Sequence, residues 1–235
     1  MLIKKQSTTI FSKLKPLYDG VFHFFAPLTC VGCRSVLYSG SQTYLCAECY
    51  NTLPMWDMNE VASPTLPKYV DGFDAPYLYE GVVKDLITSM KFSDKPEYAK
   101  ALAVLMQNKF KETCREGVLV LPVPMHRARL QKRMFNQSAE IVKALCCRDK
   151  VRYDLMGFKR VRSTKPQVGQ SARLRKQNLK DAFDVLIDVQ DKSILLVDDV
   201  WTTGSTADAC AKCLKAAGAS EVRVLTAAYV EKPIK

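Results

Sequence analysis

The sequence predicts an α/β fold of three layers, with helices on both faces of a mostly parallel sheet. The first indication is Ile194 to Val197, a continuous apolar run typical of strands that are buried on both faces. The second is residues 207–217, whose apolar side chains recur at helical spacing until Gly218 ends the helix. A strand, a short loop and a helix in this order are half of a βαβ unit, and in such sheets ligands bind beyond the carboxyl ends of the strands.

The loop between this strand and this helix has the composition of a phosphate site. Asp198 and Asp199 stand where the strand is expected to end. The segment that follows them consists of Thr202, Thr203, Gly204, Ser205 and Thr206. Backbone N–H groups at a helix N-terminus favour phosphate, and glycine lets the backbone approach a ligand closely. Two adjacent carboxylates suit sugar hydroxyls or a hydrated Mg²⁺. We therefore expect a sugar phosphate, with its phosphate in the loop and its sugar over the acids.

Two other interpretations of this stretch are weaker. An ordinary βα turn can carry the same residue types, although not usually all of them in this order. Leu195 to Asp199 would also fit the Walker-B strand of an NTPase. A Walker-B strand requires a G-x-x-x-x-G-K-S/T loop elsewhere in the chain, and the sequence contains none.

The stretch resembles the 5-phosphoribosyl-1-pyrophosphate (PRPP) motif of type I phosphoribosyltransferases. That motif has a run of aliphatic residues, two acids, two further aliphatic residues and then Thr-Thr-Gly-x-Thr. The match departs from the motif only at Trp201, which stands at a usually aliphatic place. The resemblance implies that Asp198 and Asp199 contact the ribose hydroxyls, as the candidate catalytic residues. It implies that Thr202 to Thr206 hold the 5-phosphate and that Mg²⁺ accompanies PRPP.

Composition favours a globular protein with a polyanionic partner. The 235 residues suffice for one full α/β domain and a small second module. The net charge of +11, from 35 basic and 24 acidic residues, favours nucleic acid or an acidic membrane surface. Basic residues interrupt the apolar N-terminal stretch, so no secretory signal is expected, and no run approaches the length of a membrane span. We expect a cytoplasmic protein whose nine cysteines are reduced or metal-bound.

Four of these cysteines predict a structural zinc site. They form two C-x-x-C knuckles separated by a short loop, and they are Cys30, Cys33, Cys46 and Cys49. Four thiolates complete a tetrahedral shell and leave no position open for catalysis. Zinc binding, worth roughly 10–16 kcal/mol, would fold a module too small to have a core of its own. Redox disulfides and an iron–sulfur cluster are the alternatives.

The sequence divides into four parts. Residues 1–28 are an amphipathic N-terminal arm, which we expect to dock against the protein's own core; peripheral contact near the inner membrane is the alternative. Residues 29–53 are the zinc module, and residues 54–76 contain four prolines and are predicted to be a linker. Residues 77–235 are the α/β domain, with an edge strand or hairpin at 77–83 and a further strand at 151–156.

Two basic segments are candidates for binding pyrophosphate or nucleic-acid phosphates. One follows the predicted strand 118–123, and the other, residues 159–178, contains no acid. The candidate contacts are His126, Arg127, Arg129, Arg133, Arg173 and Arg175. A solvated basic loop is the alternative for both. We interpret the second segment as a hood that closes over PRPP or contacts a nucleic-acid backbone. It contains no aromatic residue, so base stacking is not predicted there.

A second resemblance covers nearly the whole chain. Residues 123–138 have the pattern Val-Pro-x-x-x-x-Arg-x-x-x-Arg-x-Phe-Asn-Gln-Ser. This pattern resembles the ComF family of competence proteins, in which a four-cysteine zinc module precedes a type I phosphoribosyltransferase-like domain. The resemblance implies a role in handling single-stranded DNA during natural transformation, with DNA-uptake or recombination proteins as partners.

Three functions follow from these observations. The leading hypothesis is a competence protein that binds single-stranded DNA and uses a PRPP·Mg²⁺ site. The second is an active phosphoribosyltransferase, which transfers the pentosyl group to an unidentified acceptor. The third is a zinc-dependent interaction module for DNA-processing proteins.

Overall fold

The computed structural model of the chain describes residues 28–37, 41–57, 61–92, 96–125, 130, 135–161 and 182–231. The arm predicted at residues 1–28 lies outside this part of the chain except for Leu28, so its docking stays a prediction.

The main sheet is parallel and is built around two long neighbouring strands. These are β6 (Ser193–Trp201) and β7 (Glu221–Tyr229). On the outer side of β6 lies β3 (Leu119–Pro122), while β1 (Gly72–Asp74) and β2 (Tyr77–Leu78) follow one another along the outer side of β7. The predicted parallel sheet is confirmed.

Helices and a small second sheet cover the two faces of the main sheet. The helices are α1 (Ala47–Asn51), α2 (Gly81–Phe92), α3 (Glu97–Thr113), α4 (Gln137–Asp149) and α5 (Ser205–Ala216). The second sheet pairs β4 (Phe158–Arg160) with β5 (Phe183–Val185) in antiparallel fashion. Alternate residues of β6 enter two separate cores, because successive strand residues point to opposite faces. Leu195 lies in the core of α2, α3 and α4, and Leu196 in the core of α5. The three predicted layers are thus confirmed.

The four-cysteine module packs directly on this domain. Leu37 and Leu45 are buried in the same core as the inner faces of α2 and α3. The ring of Tyr44 lies 5.1 Å from the ring of Tyr98 in α3, measured between centroids. One face of the module is therefore part of the protein interior.

The predicted linker at 54–76 is wrong for its second half. Gly72–Asp74 is the strand β1, and the aromatic rings of Trp56 and Phe73 lie 5.5 Å apart in a cluster that also includes Tyr229. This aromatic packing fixes a proline-rich segment that has no regular apolar spacing. The strand at Tyr77 ends at Leu78 and α2 begins at Gly81, so the hairpin alternative for residues 77–83 is wrong as well.

Two further expectations are corrected. Residues 151–156 are not a strand, since only Tyr153 makes an isolated bridge, to Val120, and the regular strand begins later at Phe158. The acid pair does not follow the end of its strand, because β6 continues in register with β7 as far as Trp201.

Among the described helices, none combines the length and the apolar character that crossing a bilayer requires.

Candidate functional site

The acid pair of β6 is held by side chains from two different helices. Asp198 Oδ1 accepts hydrogen bonds from the Ser138 hydroxyl at 2.8 Å and from the backbone N–H of Asp199 at 2.9 Å. Asp199 Oδ2 forms an ion pair with Lys91 Nζ at 2.8 Å. Lys91 is in the last turn of α2 and Ser138 in the first turn of α4. The two carboxylates therefore have distinct environments, one neutral and one cationic.

This arrangement changes the acidity of Asp198. Burial, and next the nearby charge of Asp199, raises the pKa of the Asp198 carboxyl from 3.8 to about 7. The hydrogen bond from Ser138 acts in the opposite direction but is outweighed. Strongly perturbed carboxyls of this kind are common at functional sites.

A pocket of about 210 Å³ opens beside the acid pair. Asp198, Asp199 and Thr206 line one part of it. Lys91, Gln137 and Arg160 line other parts. The pocket thus brings together residues from α2, α4, β4, β6 and α5, and it combines two carboxylates with two cations and an amide.

The first turn of α4 contributes a donor that has no protein partner. Asn136 caps this helix, since its side-chain oxygen accepts from the Ser138 N–H at 3.1 Å and its amide donates to the carbonyl of Val123. The next residue, Gln137, is 2% exposed, and among the described residues no atom accepts from its Nε2. A buried unpaired donor in a pocket wall marks a position where a ligand oxygen would bind.

The predicted phosphate loop has the geometry of a helix N-terminus. Gly204 adopts a left-handed conformation, with φ of 70°, directly before α5. Within the described chain, the backbone N–H groups of Gly204, Thr206 and Ala207 have no protein acceptor, while the Ser205 N–H makes a long 3.4 Å contact with Thr203 Oγ1. These N–H groups are available to an anion.

Trp201 lies directly beneath this loop. Its side chain is buried, and its ring centroid is 4.2 Å from that of Phe73. A Cβ atom on Gly204 would come within 2.5 Å of the indole. Glycine is therefore required at position 204 both for the backbone angle and for the space that Trp201 occupies.

The four predicted zinc ligands are close together. The Sγ atoms of Cys30, Cys33, Cys46 and Cys49 all lie within 4.8 Å of one another. The backbone N–H of Cys46 contacts Cys30 Sγ, and that of Cys49 contacts Cys46 Sγ, each at 3.4 Å. Such N–H contacts stabilise thiolates.

The acidity of these thiols fits a metal site that binds by releasing protons. A hydrogen bond from Ser35 lowers the pKa of Cys33 to about 6, while burial raises that of Cys49 to about 12. Four sulfur ligands in this spacing suit Zn²⁺, which would supply the missing core of the module. The remaining protons would leave on binding, so metal affinity would rise with pH.

All six of the predicted phosphate-binding cations lie outside the described residues, so their role stays a prediction. These are His126, Arg127, Arg129, Arg133, Arg173 and Arg175. Arg160, at the start of the second basic segment, is described and lines the pocket, with its guanidinium over the ring of Phe183 at 5.6 Å. The Val161 N–H donates to the carbonyl of Ala182, which lies four positions beyond the end of that segment. Arg160 therefore places the beginning of that segment beside the pocket.

Sequence reasoning assigned no role in the site to Lys91, Gln137 or Ser138, all of which line the pocket. Lys91 stands at the end of an ordinary amphipathic helix, and nothing local distinguishes it from other surface lysines. Gln137 and Ser138 belong to a pattern that resembles the ComF family, and that resemblance was the only signal for them in the sequence.

Comparison with known proteins agrees with this geometry. The family model described as "Phosphoribosyl transferase domain" matches residues 91–235. The chain belongs to the phosphoribosyl transferase domain family. The matched stretch contains the acid pair, the loop at Thr202 to Thr206 and the pocket side chains of α4, and it begins at Lys91.

Curated relatives fit the resemblance to the ComF family. The DNA utilization protein YhgH of Escherichia coli O6:H1 is 38% identical over 151 residues, which are 62% of this chain and 66% of the relative. Competence protein F of Haemophilus influenzae is 29% identical over 188 residues, covering 76% of each chain. Competence protein ComFC of Bacillus subtilis is 25% identical over 139 residues, 59% of this chain and 55% of the relative. The chain thus spans slightly less than two thirds of the YhgH relative, at 66%. These relatives confirm that the protein is of the ComF type.

Proposed function

We propose that this protein binds PRPP with Mg²⁺ in the pocket beside Asp198 and Asp199 and acts in the handling of single-stranded DNA during DNA uptake. The PRPP part of this proposal depends on a single observation: the phosphate loop and the acid pair lie side by side at the carboxyl end of β6. The unpaired N–H groups before α5 favour a phosphate, and the acid pair adjoins them across Thr206.

Each part of the pocket suits one part of such a ligand. The N–H groups at Gly204 and Thr206 would hold the 5-phosphate, and the carboxylates would accept from the ribose hydroxyls. Lys91 and Gln137 would face the pyrophosphate, because both present donors to the pocket. Bound Mg²⁺ would supply charge neutralisation for the phosphate oxygens.

The sugar-phosphate assignment is tested by calorimetry with PRPP and MgCl₂. Asp198→Asn with Asp199→Asn keeps the shape of both side chains and removes their charge, so we expect binding to be lost. The matched control is Asp188→Asn, which changes an exposed carboxylate that pairs with Lys192 away from the pocket. Unchanged affinity in the double variant would remove the assignment.

Support for a DNA partner comes from charge and from the relatives. The net charge of +11 suits a polyanion, and the relatives are named for competence and DNA utilization. We expect binding of a single-stranded oligonucleotide to weaken with salt, by roughly 0.7 in log–log slope for each phosphate neutralised. Arg173→Gln with Arg175→Gln should lower that slope. Binding that does not depend on salt would contradict an electrostatic DNA interface.

Transferase activity is the second candidate. The observation that favours it is that Lys91, Arg160 and Gln137 line the same pocket as the acids, where their donors would stabilise negative charge on a departing pyrophosphate. The measurement is pyrophosphate release from PRPP in the presence of single-stranded DNA or free nucleobases. The absence of release with each acceptor, in a protein that binds PRPP, would favour a binding function alone.

A further inference from the structure

The four-cysteine module touches helix α2 at its first turn. A Cβ atom on Gly32, within the first knuckle, would lie 2.6 Å from Val82 Cγ1 and 2.9 Å from Cys49 Sγ. The knuckle backbone therefore lies directly against α2, with no space for a side chain between them. A shift of the knuckle would therefore shift α2 as well, because packed interiors have little free volume.

Buried apolar side chains extend the contact between the four-cysteine module and α2 beyond Gly32. Leu37 and Leu45 from the module share one core with Val83 and Leu86 of α2, and both α2 residues have zero exposure. The module and the helix thus share one packed core.

The other end of α2 reaches the acid pair. Lys91 lies nine residues after Val82 in the same helix, about 14 Å along its axis. Its Nζ contacts Asp199 Oδ2 at 2.8 Å, and the two side chains are 23% and 15% exposed. An ion pair shielded to this degree is stronger and more sensitive to geometry than one on the open surface.

We propose that the four-cysteine module and α2 form one positioning unit that sets Lys91 against the acid pair, so that Lys91 binds an anionic group of the ligand. The ligand part of this proposal rests on the proposed function. When sugar hydroxyls or a hydrated cation occupy Asp199, the Lys91 ammonium is released at the pocket wall, where it meets the ligand's phosphate oxygens. The module would then have a role in ligand binding without touching the ligand.

The test displaces the helix without removing a cysteine. Gly32→Ala should weaken binding of PRPP with MgCl₂ by about tenfold, the effect of one charge-assisted hydrogen bond. Lys91→Met should weaken it by a similar factor. In the Lys91→Met background, Gly32→Ala should have no further effect. Val82→Ala removes the shorter of the two contacts of the new methyl group and should restore part of the affinity of Gly32→Ala. Zinc content is measured for every variant, because the other contact is with Cys49 Sγ.

Two results would overturn the proposal. The first is Gly32→Ala protein that binds PRPP as tightly as the wild type. The second is an equal loss in the presence and absence of Lys91, since a general loss of structure would act regardless of that side chain.

A ligand-free measurement separates this proposal from the proposed function. Unfolding of Lys91→Met, Asp199→Asn and the double variant gives the coupling between these two side chains. Coupling that is present in the wild type and absent after Gly32→Ala supports the positioning unit, and coupling that persists unchanged refutes it. Failure of wild-type protein to bind PRPP would refute the proposed function, and this cycle would then decide the positioning role alone.

Discussion

The hydroxyl of Ser138 donates a 2.8 Å hydrogen bond to Asp198 Oδ1, which joins the first turn of α4 to the middle of the main sheet. The two residues are 60 positions apart in the sequence. The bond fixes one carboxylate of the pair while Lys91 engages the other. The pocket is thereby held between two helices before any ligand arrives.

The raised pKa of Asp198 predicts a stability that falls as the pH rises. Its pKa is about 7 in the folded protein, against 3.8 ordinarily, mainly because of burial. The folded state therefore holds this proton more tightly than the unfolded chain, and the stability it contributes at low pH is lost between about pH 4 and 7. Asp198→Asn cannot ionise and still accepts from Ser138. Its free energy of unfolding should match the wild type at pH 4 and exceed it by on the order of 2–4 kcal/mol at pH 8.

Urea unfolding at several pH values measures this difference. Asp188→Asn is a control for which the pH dependence of stability has the opposite sign, because the hydrogen bond from Lys192 lowers the pKa of Asp188. That variant should be no more stable than the wild type above pH 4. A constant difference between Asp198→Asn and the wild type across the range would show that Asp198 has an ordinary pKa.

Replacement of Gly204 should damage the phosphate loop through Trp201. The glycine has φ of 70°, and a Cβ atom there would lie 2.5 Å from the indole. Gly117→Ala is a matched control, since Gly117 has φ of 76° with nothing near its absent side chain. The control should lose about 1–2 kcal/mol of stability from the backbone alone. Gly204→Ala should lose about 1–3 kcal/mol more from overpacking and should lose PRPP binding. Equal losses of stability in the two variants would exclude the contact with Trp201.

Replacement of Gln137 should lower the affinity for the ligand without lowering the stability of the free protein. Its Nε2 is buried without an acceptor, so Gln137→Leu removes an unsatisfied donor and should leave the free protein equally or more stable. The same change should weaken PRPP binding by about tenfold, since the ligand loses one hydrogen bond. Gln107 also has a buried unpaired amide atom but does not line the pocket, so Gln107→Leu should keep full affinity. Thermal unfolding and calorimetry on both variants measure the two effects, and unchanged affinity in Gln137→Leu would exclude Gln137 from the ligand site.

Zinc removal should unfold the module and weaken its contact with α2. We expect one Zn per chain by elemental analysis, and loss of it in Cys49→Ser. Because bound zinc would stabilise the module, we expect the free energy of unfolding to fall by several kcal/mol when it is removed. Cys147→Ser, which changes an exposed cysteine outside the cluster, should keep both metal and stability. A protein that is free of metal and equally stable would contradict a structural zinc site.

The parts of the fold that sequence predicts are those whose residues are contiguous. The run from Ile194 to Thr206 contains its strand, its acids and its loop in one segment, so local pattern suffices. Lys91 and Ser138 reach the acid pair only through tertiary packing, for which the sequence has no local signal. The strand at Gly72–Asp74 was missed for the same reason, because it is fixed by pairing with a strand about 150 positions later.

The outer edge of β7 is completed by β1 and β2, both of which precede residue 91, where the family match begins. A protein shortened to that match would leave the backbone groups along β7 without partners and would expose the inner face that α2 covers. Unpaired strand edges of this kind promote aggregation. We therefore expect a chain cut at residue 91 to be more prone to aggregation than the full chain, because residues ahead of the family match supply the border of its sheet.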